Sequence, residues 1–302
     1  MTPPTTGPSP DVAAPADVAG PGDLADPATD PSAVAARAAA VLAERTGAAR
    51  HDVALVLGSG WQATADLVGT TVAQVPVTDL PGFPPPAALG HVGVVRSVEV
   101  PGAGGGAHRA LVFASRTHLY EGRGVRPVVH AVRTAAAAGC STIVLTNGCG
   151  GLDPSWGPGT PVLVSDHINL TATSPLEGAT FVDLTDLYSA RLRALAREVD
   201  PSLPEGVYVQ FRGPHYETPA EVAMAGRMGG HLVGMSTTLE AIAARQAGME
   251  VLGISLVTNL AAGVGDRPLD AQEVVDAGRA AGPRIGALLA DVVRRVLAAG
   301  PA

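Results

Sequence analysis

The sequence predicts an α/β protein in which a mixed or parallel sheet is flanked by helices on both sides. Short apolar segments, too short to be helices, alternate along the chain with helical segments. Two of the apolar segments run into glycine-rich turns, and capping signals mark the starts of three helices. Because no internal repeat or linker interrupts this alternation, residues 32–302 are expected to form a single domain.

The composition excludes several classes of function. The 302 residues carry a formal net charge of −8, and 46% of them are hydrophobic, which is enough for an ample core. All basic residues are Arg, so a P-loop lysine, a Schiff-base lysine and a lysine-rich nucleic-acid surface are excluded. The sequence contains neither an apolar run of membrane-spanning length nor a signal-peptide pattern. We therefore expect a cytoplasmic protein that binds neither membranes nor nucleic acid.

The first 31 residues differ from the rest of the chain. They consist mainly of Pro, Ala, Thr, Gly and Asp, with acidic residues and no basic residue. Such a segment cannot bury enough apolar surface to order itself. The sequence therefore predicts a disordered tail over residues 1–31.

The first half of the domain predicts helices and strands in alternation, with prolines marking one long loop. In order, the predicted elements are a helix from Ser32 to about Arg45, a strand over 52–57, a loop over 80–90, strands over 92–100 and 109–114, and a helix over 127–138. The strand over 52–57 ends in the turn Gly58-Ser59-Gly60. Cys140 and Cys149, the only cysteines, flank the next predicted strand and are expected to be reduced core thiols.

The strand after Thr142 organises the prediction. Ile143, Val144 and Leu145 indicate a strand that is buried on both faces, and the glycine-rich segment 147–151 follows it directly. Glycines allow a sharp turn and a close approach to a ligand, and exposed N–H groups in such a turn can bind an anion. We therefore predict a ligand-binding turn at 147–151.

The second half repeats the alternation. In order, it predicts a strand over 162–170, a long loop to about Leu184, a helix over 188–199, a strand over 206–211, helix starts at Thr218, Thr237 and Asp270, strands over 232–235 and 251–257, and a last helix to about Leu297. Each helix start has a Glu three residues after the capping residue, which is the spacing of a capping box.

Polar residues collect where the predicted strands end, although each alone could be a turn or capping residue. They are Ser59, Arg116, His118, Tyr120, Glu121, Asn147, Tyr216, Glu217, Ser236, Thr258 and Asn259. Together they indicate a binding site, since α/β sheets collect ligands at strand ends. Arg116, His118, two serine hydroxyls and the Gly148 N–H would suit a phosphate oxyanion. No cluster has metal-ligand spacing, so we expect neither a metal nor another cofactor.

Several motifs occur in order along the chain: G-S-G at Gly58, S-R-T-H-L-Y-E-G at Ser115, T-N-G-C-G-G at Thr146, G-P-H-Y-E-T at Gly213, V-G-M-S-T at Val233 and S-L-V-T-N at Ser255. Together they resemble the trimeric purine nucleoside phosphorylases of the nucleoside phosphorylase family. The resemblance covers nearly the whole chain outside the tail, and several motifs in register make it specific. It implies a homotrimer with a three-layer α/β/α fold around a mixed, partly barrel-like sheet.

The resemblance implies a pentosyltransferase that acts in purine salvage. It would cleave 6-oxopurine (deoxy)ribonucleosides such as inosine and guanosine with phosphate, reversibly, to the free base and α-(deoxy)ribose 1-phosphate. The implied phosphate ligands are Ser59, His91, Arg116, His118, Gly148 and Ser236. The implied ribose contacts are His91, Tyr120, Met235 and, from a neighbouring subunit, Phe181. The implied base contacts are Cys149, Gly150, Tyr216, Glu217, Val233, Thr258 and Asn259, and His91, Glu217 and Asn259 are the implied catalytic residues.

The sequence departs from the family pattern at several places. Trp61 to Thr64 replace a glycine-rich run, Gly148-Cys149 replaces an alanine pair, and Tyr216 stands where many members have Phe. Ala271 falls where the family commonly has a histidine that contacts the ribose. Two alternatives stay open: a 5′-methylthioadenosine phosphorylase, and a non-catalytic purine- or phosphate-binding protein. Asn259 disfavours the first, because an acid there would suit a 6-amino group, and the full set of phosphate ligands disfavours the second.

Overall fold

The structure, a computed structural model, describes residues 24–61, 64–85, 87, 93–102, 105–265 and 269–301. Within them the strands are β1 (Val53–Val56), β2 (Thr70–Pro76), β3 (Val94–Pro101), β4 (Ala107–Phe113), β5 (Thr142–Gly151), β6 (Pro161–Asn169), β7 (Glu205–Gln210), β8 (Leu232–Gly234) and β9 (Glu250–Leu260). The helices are α1 (Pro31–Thr46), α2 (Ala65–Val68), α3 (Val125–Val128), α4 (His130–Ala137), α5 (Ala190–Val199), α6 (Pro219–Arg227), α7 (Thr238–Gln246) and α8 (Ala271–Ala299).

The strands form one mixed sheet in the order β2-β3-β4-β1-β5-β8-β7-β6-β9. Because β5 also pairs with β9, the strands β5, β8, β7, β6 and β9 close into a ring. The other four strands extend from β5 as an open sheet. β5 therefore belongs to both parts, and the predicted three-layer α/β/α fold with a partly barrel-like sheet is confirmed.

Two hydrophobic clusters cover the two faces of the sheet. One cluster joins α1, α4 and α7 to the sheet, and the other joins α2, α5 and α8 to it. The segment that forms β1 is fully buried because it lies between these layers, which agrees with its continuous apolar sequence. No helix in the described part of the chain has the length and apolar character needed to cross a bilayer.

The structure corrects the prediction of a glycine turn at 147–151. β5 continues through Gly151 and pairs with β9 as far as Leu260, with a register shift after Cys149. The glycines serve close packing instead of a turn. A Cβ on Gly150 would lie 3.1 Å from Val233 Cγ2, and one on Gly148 would lie 3.2 Å from the carbonyl oxygen of Ser59.

The sequence also missed β2, and the first helix begins before Ser32. β2 is a largely exposed edge strand with an irregular register against β3, so its burial pattern is weak. The N-cap of α1 is Asp30 and not Ser32, since Asp30 Oδ1 accepts from the Ser32 N–H at 2.8 Å. Leu24 is buried, and Arg126 donates to the carbonyl oxygens of Asp26, Pro27 and Thr29. Residues within 24–31 therefore contact the rest of the domain, whereas the tail prediction falls mostly on residues 1–23, which lie outside the described residues.

Candidate active site

A cavity of about 280 Å³ opens where β5, β8 and β9 end. Its lining residues are Ser59, Arg116, His118, Tyr120, Asn147, Gly148, Cys149, Gly150, Pro214, Tyr216, Glu217, Val233, Gly234, Met235, Ser236, Thr258, Asn259, Ala261, Leu269 and Val274. Ligand pockets typically measure about 300–1,000 Å³, so this one suits a small ligand.

The turn after β1 places Ser59 in the cavity lining. The buried Trp61 closes this turn, because its N–H donates to the Gly58 carbonyl oxygen at 3.1 Å. Its indole Nε1 donates to the Asn147 carbonyl oxygen at 2.9 Å, and the Gly58 N–H donates to Thr146 Oγ1 at 3.1 Å. Hydrogen bonds from both a backbone N–H and a side chain therefore hold the turn against β5.

Arg116 lies on the chain after β4 and is almost completely buried. Its Nη1 donates to the Thr146 carbonyl oxygen at 2.5 Å, and its Nε lies 3.2 Å from each carboxylate oxygen of Glu240. These contacts come from β5 and α7, so the guanidinium is oriented by two separate elements. A planar guanidinium held in this way can bind an oxyanion with defined geometry.

His118 is fixed by its chain neighbours. Its ring stacks on Tyr120 with 4.7 Å between ring centroids, and the backbone N–H of His118 donates to Glu121 Oε1 at 2.7 Å. Burial tends to raise the pKa of Glu121, but hydrogen bonds from His118 outweigh it and hold that pKa below the ordinary value. Burial raises the pKa of Tyr120 to about 12, so its phenol stays protonated and can donate.

Ser236 lies in a strained turn between β8 and α7. Thr237, the next residue, has φ of 82°, a left-handed conformation that is uncommon for a β-branched residue. Its hydroxyl lies 3.2 Å from Ser236 Oγ and accepts from Asn147 Nδ2 at 2.9 Å. Its N–H donates to Glu240 Oε2 at 2.9 Å. These contacts hold the turn with Ser236 facing the cavity that Ser59, Arg116 and His118 also line.

A second group of lining residues consists of Tyr216, Glu217 and Asn259. Glu217 is buried, and its Oε1 finds no hydrogen-bond partner among the described residues. Burial raises the pKa of this carboxyl above its ordinary value. Asn259 Oδ1 accepts from Thr258 Oγ1 at 2.9 Å, and Nδ2 donates to the Leu260 carbonyl oxygen at 3.0 Å. An amide NH₂ has two protons, so one of them is left for a ligand.

Cys149 lines the cavity as an inert thiol. Burial raises its pKa to about 12, and its Sγ lies 3.4 Å from the Leu256 carbonyl oxygen as a hydrogen-bond donor. The thiolate, not the thiol, is the nucleophile in cysteine chemistry. The cysteine therefore contributes shape and not a nucleophile, as the sequence reading favoured.

The structure brings together most of the residues predicted for the site. All the predicted phosphate, ribose and base residues line the one cavity except His91 and Phe181. His91 lies outside the described residues. Phe181 is 94% exposed in the long loop before α5 and does not belong to the cavity lining. Among the described residues, no group of three or more His, Cys, Asp and Glu side chains is placed to hold a metal ion.

Sequence reasoning missed three residues that support the site. Trp61 was seen only as a departure from the family, Asn147 only as a polar residue at a strand end, and Glu240 only as part of a capping box. The capping spacing did predict the contact of Glu240 with the Thr237 N–H. Its contact with Arg116, 124 positions earlier, leaves no local signal in the sequence.

Comparison with known proteins identifies the class. A family model described as the phosphorylase superfamily matches residues 52–294, and the chain belongs to this superfamily. Over 269 residues it is 67% identical to the purine nucleoside phosphorylase of Cellulomonas sp, which covers 89% of this chain and 95% of that protein. It is 57% identical over 269 residues to the purine nucleoside phosphorylase of Mycobacterium tuberculosis, with 89% and 98% coverage. The predicted resemblance to purine nucleoside phosphorylases is therefore confirmed.

Solved structures agree with this assignment. The purine nucleoside phosphorylase of Schistosoma mansoni in complex with inosine superposes with a TM-score of 0.76 at 27% identity, covering 87% of this chain and 96% of that one. The same enzyme in complex with adenosine superposes with a TM-score of 0.77 at 28% identity, with the same coverage.

Proposed function

We propose that the chain catalyses the reversible phosphorolysis of 6-oxopurine nucleosides, such as inosine and guanosine, to the free base and α-ribose 1-phosphate. The observation that carries the proposal is that two chemically different groups of residues line one cavity, and we call them its phosphate end and its base end. One end gathers Arg116, His118 and two serines, which suit phosphate. The other end offers a buried, unpartnered carboxylate oxygen on Glu217. The relatives named above support the same reaction.

The base end supports a 6-oxopurine by hydrogen-bond complementarity. An ionised carboxylate is only an acceptor, and hypoxanthine and guanine carry an N1–H donor that adenine lacks. An unpartnered buried oxygen costs about 1–3 kcal/mol, which a purine N1–H bound to Glu217 would offset. The remaining proton of Asn259 Nδ2 can donate to N7 or O6 of the purine, where negative charge grows as the base leaves.

The proposed reaction needs no enzyme nucleophile. Cleavage of the glycosidic bond passes through an oxocarbenium-like state, as in glycoside hydrolysis. A phosphate dianion at the Arg116 end would attack the anomeric carbon and also stabilise the positive charge on the ribose. The inert thiol of Cys149 agrees with this mechanism. Tyr120 and Met235 line the same cavity with the two ends, as ribose contacts would. His91, predicted to contact phosphate and ribose, stays a sequence-based assignment.

The test is a set of assays with inosine, guanosine and 5′-methylthioadenosine, each with and without phosphate. We expect phosphate-dependent release of hypoxanthine and guanine, with little release of 5-methylthioribose 1-phosphate. Faster turnover of methylthioadenosine would favour the sister activity instead. Binding of purines without turnover would favour a non-catalytic protein.

We further propose that the protein acts as a cytoplasmic homotrimer in which Phe181 completes the ribose pocket of a neighbouring subunit. A phenylalanine that is 94% exposed in one chain supports burial against another. Phe181→Ala should raise the KM for inosine several-fold without lowering Tm, and Val72→Ala, at an exposed apolar residue of the edge strand, serves as the control. A monomer by light scattering, or an unchanged KM, would contradict this arrangement.

A further inference from the structure

A buried ion pair joins two of the elements that build the phosphate end. The side chains of Arg116 and Glu240 are each 1% exposed, and Nε of the arginine lies 3.2 Å from both carboxylate oxygens. Glu240 is not part of the cavity lining. A buried ion pair by itself is weak evidence for stability, because desolvation offsets much of the attraction. The role of this pair is therefore sought in the groups that it orients, and not in its contribution to stability.

Glu240 also supports the turn that carries Ser236. Its Oε2 accepts the Thr237 N–H at 2.9 Å, and Thr237 has the left-handed φ of 82°. A positive φ is strained for a non-glycine residue, so the turn persists only where neighbouring groups fix it. One carboxylate thus contacts both the arginine and the backbone beside the serine.

We propose that Glu240 is a positioning residue, which aligns Arg116 and Ser236 on a single phosphate ion without touching that ion. The proposal rests on the proposed function, because it takes the Arg116 end of the cavity as the phosphate site. Arg116 is held from α7, and Ser236 is held through Thr237, the residue directly before α7. A shift of this carboxylate would therefore move the two phosphate ligands apart, and a misplacement of about 1 Å can cost about 10²-fold in rate.

Glu240→Gln is the informative variant because it keeps the shape of the side chain but loses one acceptor. The carboxylate accepts at both oxygens, whereas a glutamine has one oxygen and an NH₂ group. If the amide oxygen takes the place of Oε2 beside Thr237, the NH₂ group faces the Nε–H of Arg116, donor against donor. The Arg116 Nε–H and the Thr237 N–H then compete for one neutral oxygen, and the guanidinium loses its counter-charge, so its present orientation is held less firmly.

The experiment measures KM for phosphate, KM for inosine, kcat, and Tm with and without phosphate. For Glu240→Gln we expect the phosphate KM to rise roughly tenfold or more, while the inosine KM stays within about twofold. Glu240→Asp keeps the charge but shortens the side chain, and should give an intermediate phosphate KM. The control is Glu250→Gln, which breaks a more exposed, bidentate ion pair with Arg191 outside the cavity lining. It should lower Tm and leave the phosphate KM unchanged.

A lower Tm with an unchanged phosphate KM in Glu240→Gln would overturn the proposal, and so would a phosphate KM below that of the wild type. If this variant does not fold, Glu240→Asp decides, and an unchanged phosphate KM there has the same meaning. Arg116→Ala distinguishes a failure of the proposed phosphate site from a failure of the proposed role of Glu240. If the phosphate KM is normal in both Arg116→Ala and Glu240→Gln, the proposed phosphate site is wrong. If the phosphate KM is raised in Arg116→Ala but normal in Glu240→Gln, only the role of Glu240 is wrong.

Discussion

The two ends of the cavity are built differently. At the phosphate end, Arg116, His118 and Ser236 are all at most 9% exposed, and neighbouring side chains already hold them. At the base end, Tyr216 is 38% exposed and the buried Glu217 keeps an unpartnered oxygen. The first end is therefore complete before a ligand arrives, whereas the second is completed by the ligand. Changes at the phosphate end should damage folding and catalysis together, and changes at the base end should mainly alter specificity.

Arg116→Ala tests the phosphate end and should have the largest effect. It removes a charge-assisted contact to phosphate, which we expect to cost about 2 kcal/mol or more of transition-state stabilisation. It also leaves Glu240 buried without its charged partner, which typically destabilises a fold by about 3–5 kcal/mol. Steady-state kinetics and thermal unfolding measure the two losses.

The control for this variant is Arg191→Ala, which breaks a half-exposed pair with Glu250 outside the cavity lining. It should lower Tm less and leave the phosphate KM unchanged. An Arg116→Ala protein with normal phosphate affinity and rate would place the anion elsewhere.

Substrate choice tests the base end. With Glu217 ionised, adenosine would set the lone pair of its N1 against a carboxylate, and an unmatched buried polar contact costs about 1–3 kcal/mol. We expect kcat/KM for inosine to exceed that for adenosine by roughly 10²-fold. Asn259→Asp should reduce this ratio, because it offers an acceptor to the 6-amino group. Equal use of adenosine and inosine by the wild type would contradict the base assignment.

The stability of Glu217→Gln tests whether the base end is strained before the ligand binds. Burial raises the pKa of this carboxyl above the ordinary 4.5, so its ionisation destabilises the folded state. The penalty is absent at a pH below the ordinary value, where the carboxyl is protonated in both states, and it grows as pH rises through the folded-state pKa. Tm of the variant should therefore exceed that of the wild type at pH 7, with a smaller difference at pH 4.

The pH dependence is what distinguishes ionisation from packing in this comparison. Glu221→Gln is the control, because that exposed capping carboxylate has a lowered pKa and should show the opposite trend. A difference in Tm between wild type and Glu217→Gln that does not change with pH would show that ionisation is not the cause.

The sequence predicted those parts of the molecule whose signals are local. The strand at β1 follows from a continuous apolar run, and the start of α6 follows from the spacing of Thr218 and Glu221, which form the predicted capping box. The motifs that carry the resemblance predicted nearly the whole cavity lining. These features need only neighbouring residues, or short segments in a fixed order, to be recognised.

The parts that were missed depend on contacts between distant segments. Glycines favour turns in isolation, but here they lie in a continuous strand, where Ser59, Val233 and Val257 approach β5 so closely that a Cβ would be crowded. Trp61 reaches β5 through its indole and Glu240 reaches Arg116, and both contacts join segments far apart in the chain. Neither of these two supporting contacts could therefore be predicted from the sequence, whereas the proposed phosphate ligands could.

Removal of the ribose 5′-hydroxyl tests the ribose-binding region that we expect between the two ends. It should have the smallest effect of these changes. The family's histidine is replaced here by Ala271, whose methyl group cannot hydrogen-bond. The next residue, Gln272, is exposed and donates Nε2 to Asp276 Oδ1 at 3.1 Å along α8, so it is already engaged by its own helix. We therefore expect water at the 5′-hydroxyl, and 5′-deoxyinosine should be cleaved within a few-fold of inosine. Ala271→His should widen that gap by about 1 kcal/mol, the net value of one neutral hydrogen bond. Strong rejection of 5′-deoxyinosine by the wild type, unchanged in Ala271→His, would mean that another residue binds the hydroxyl and that this middle region is as complete before binding as the phosphate end.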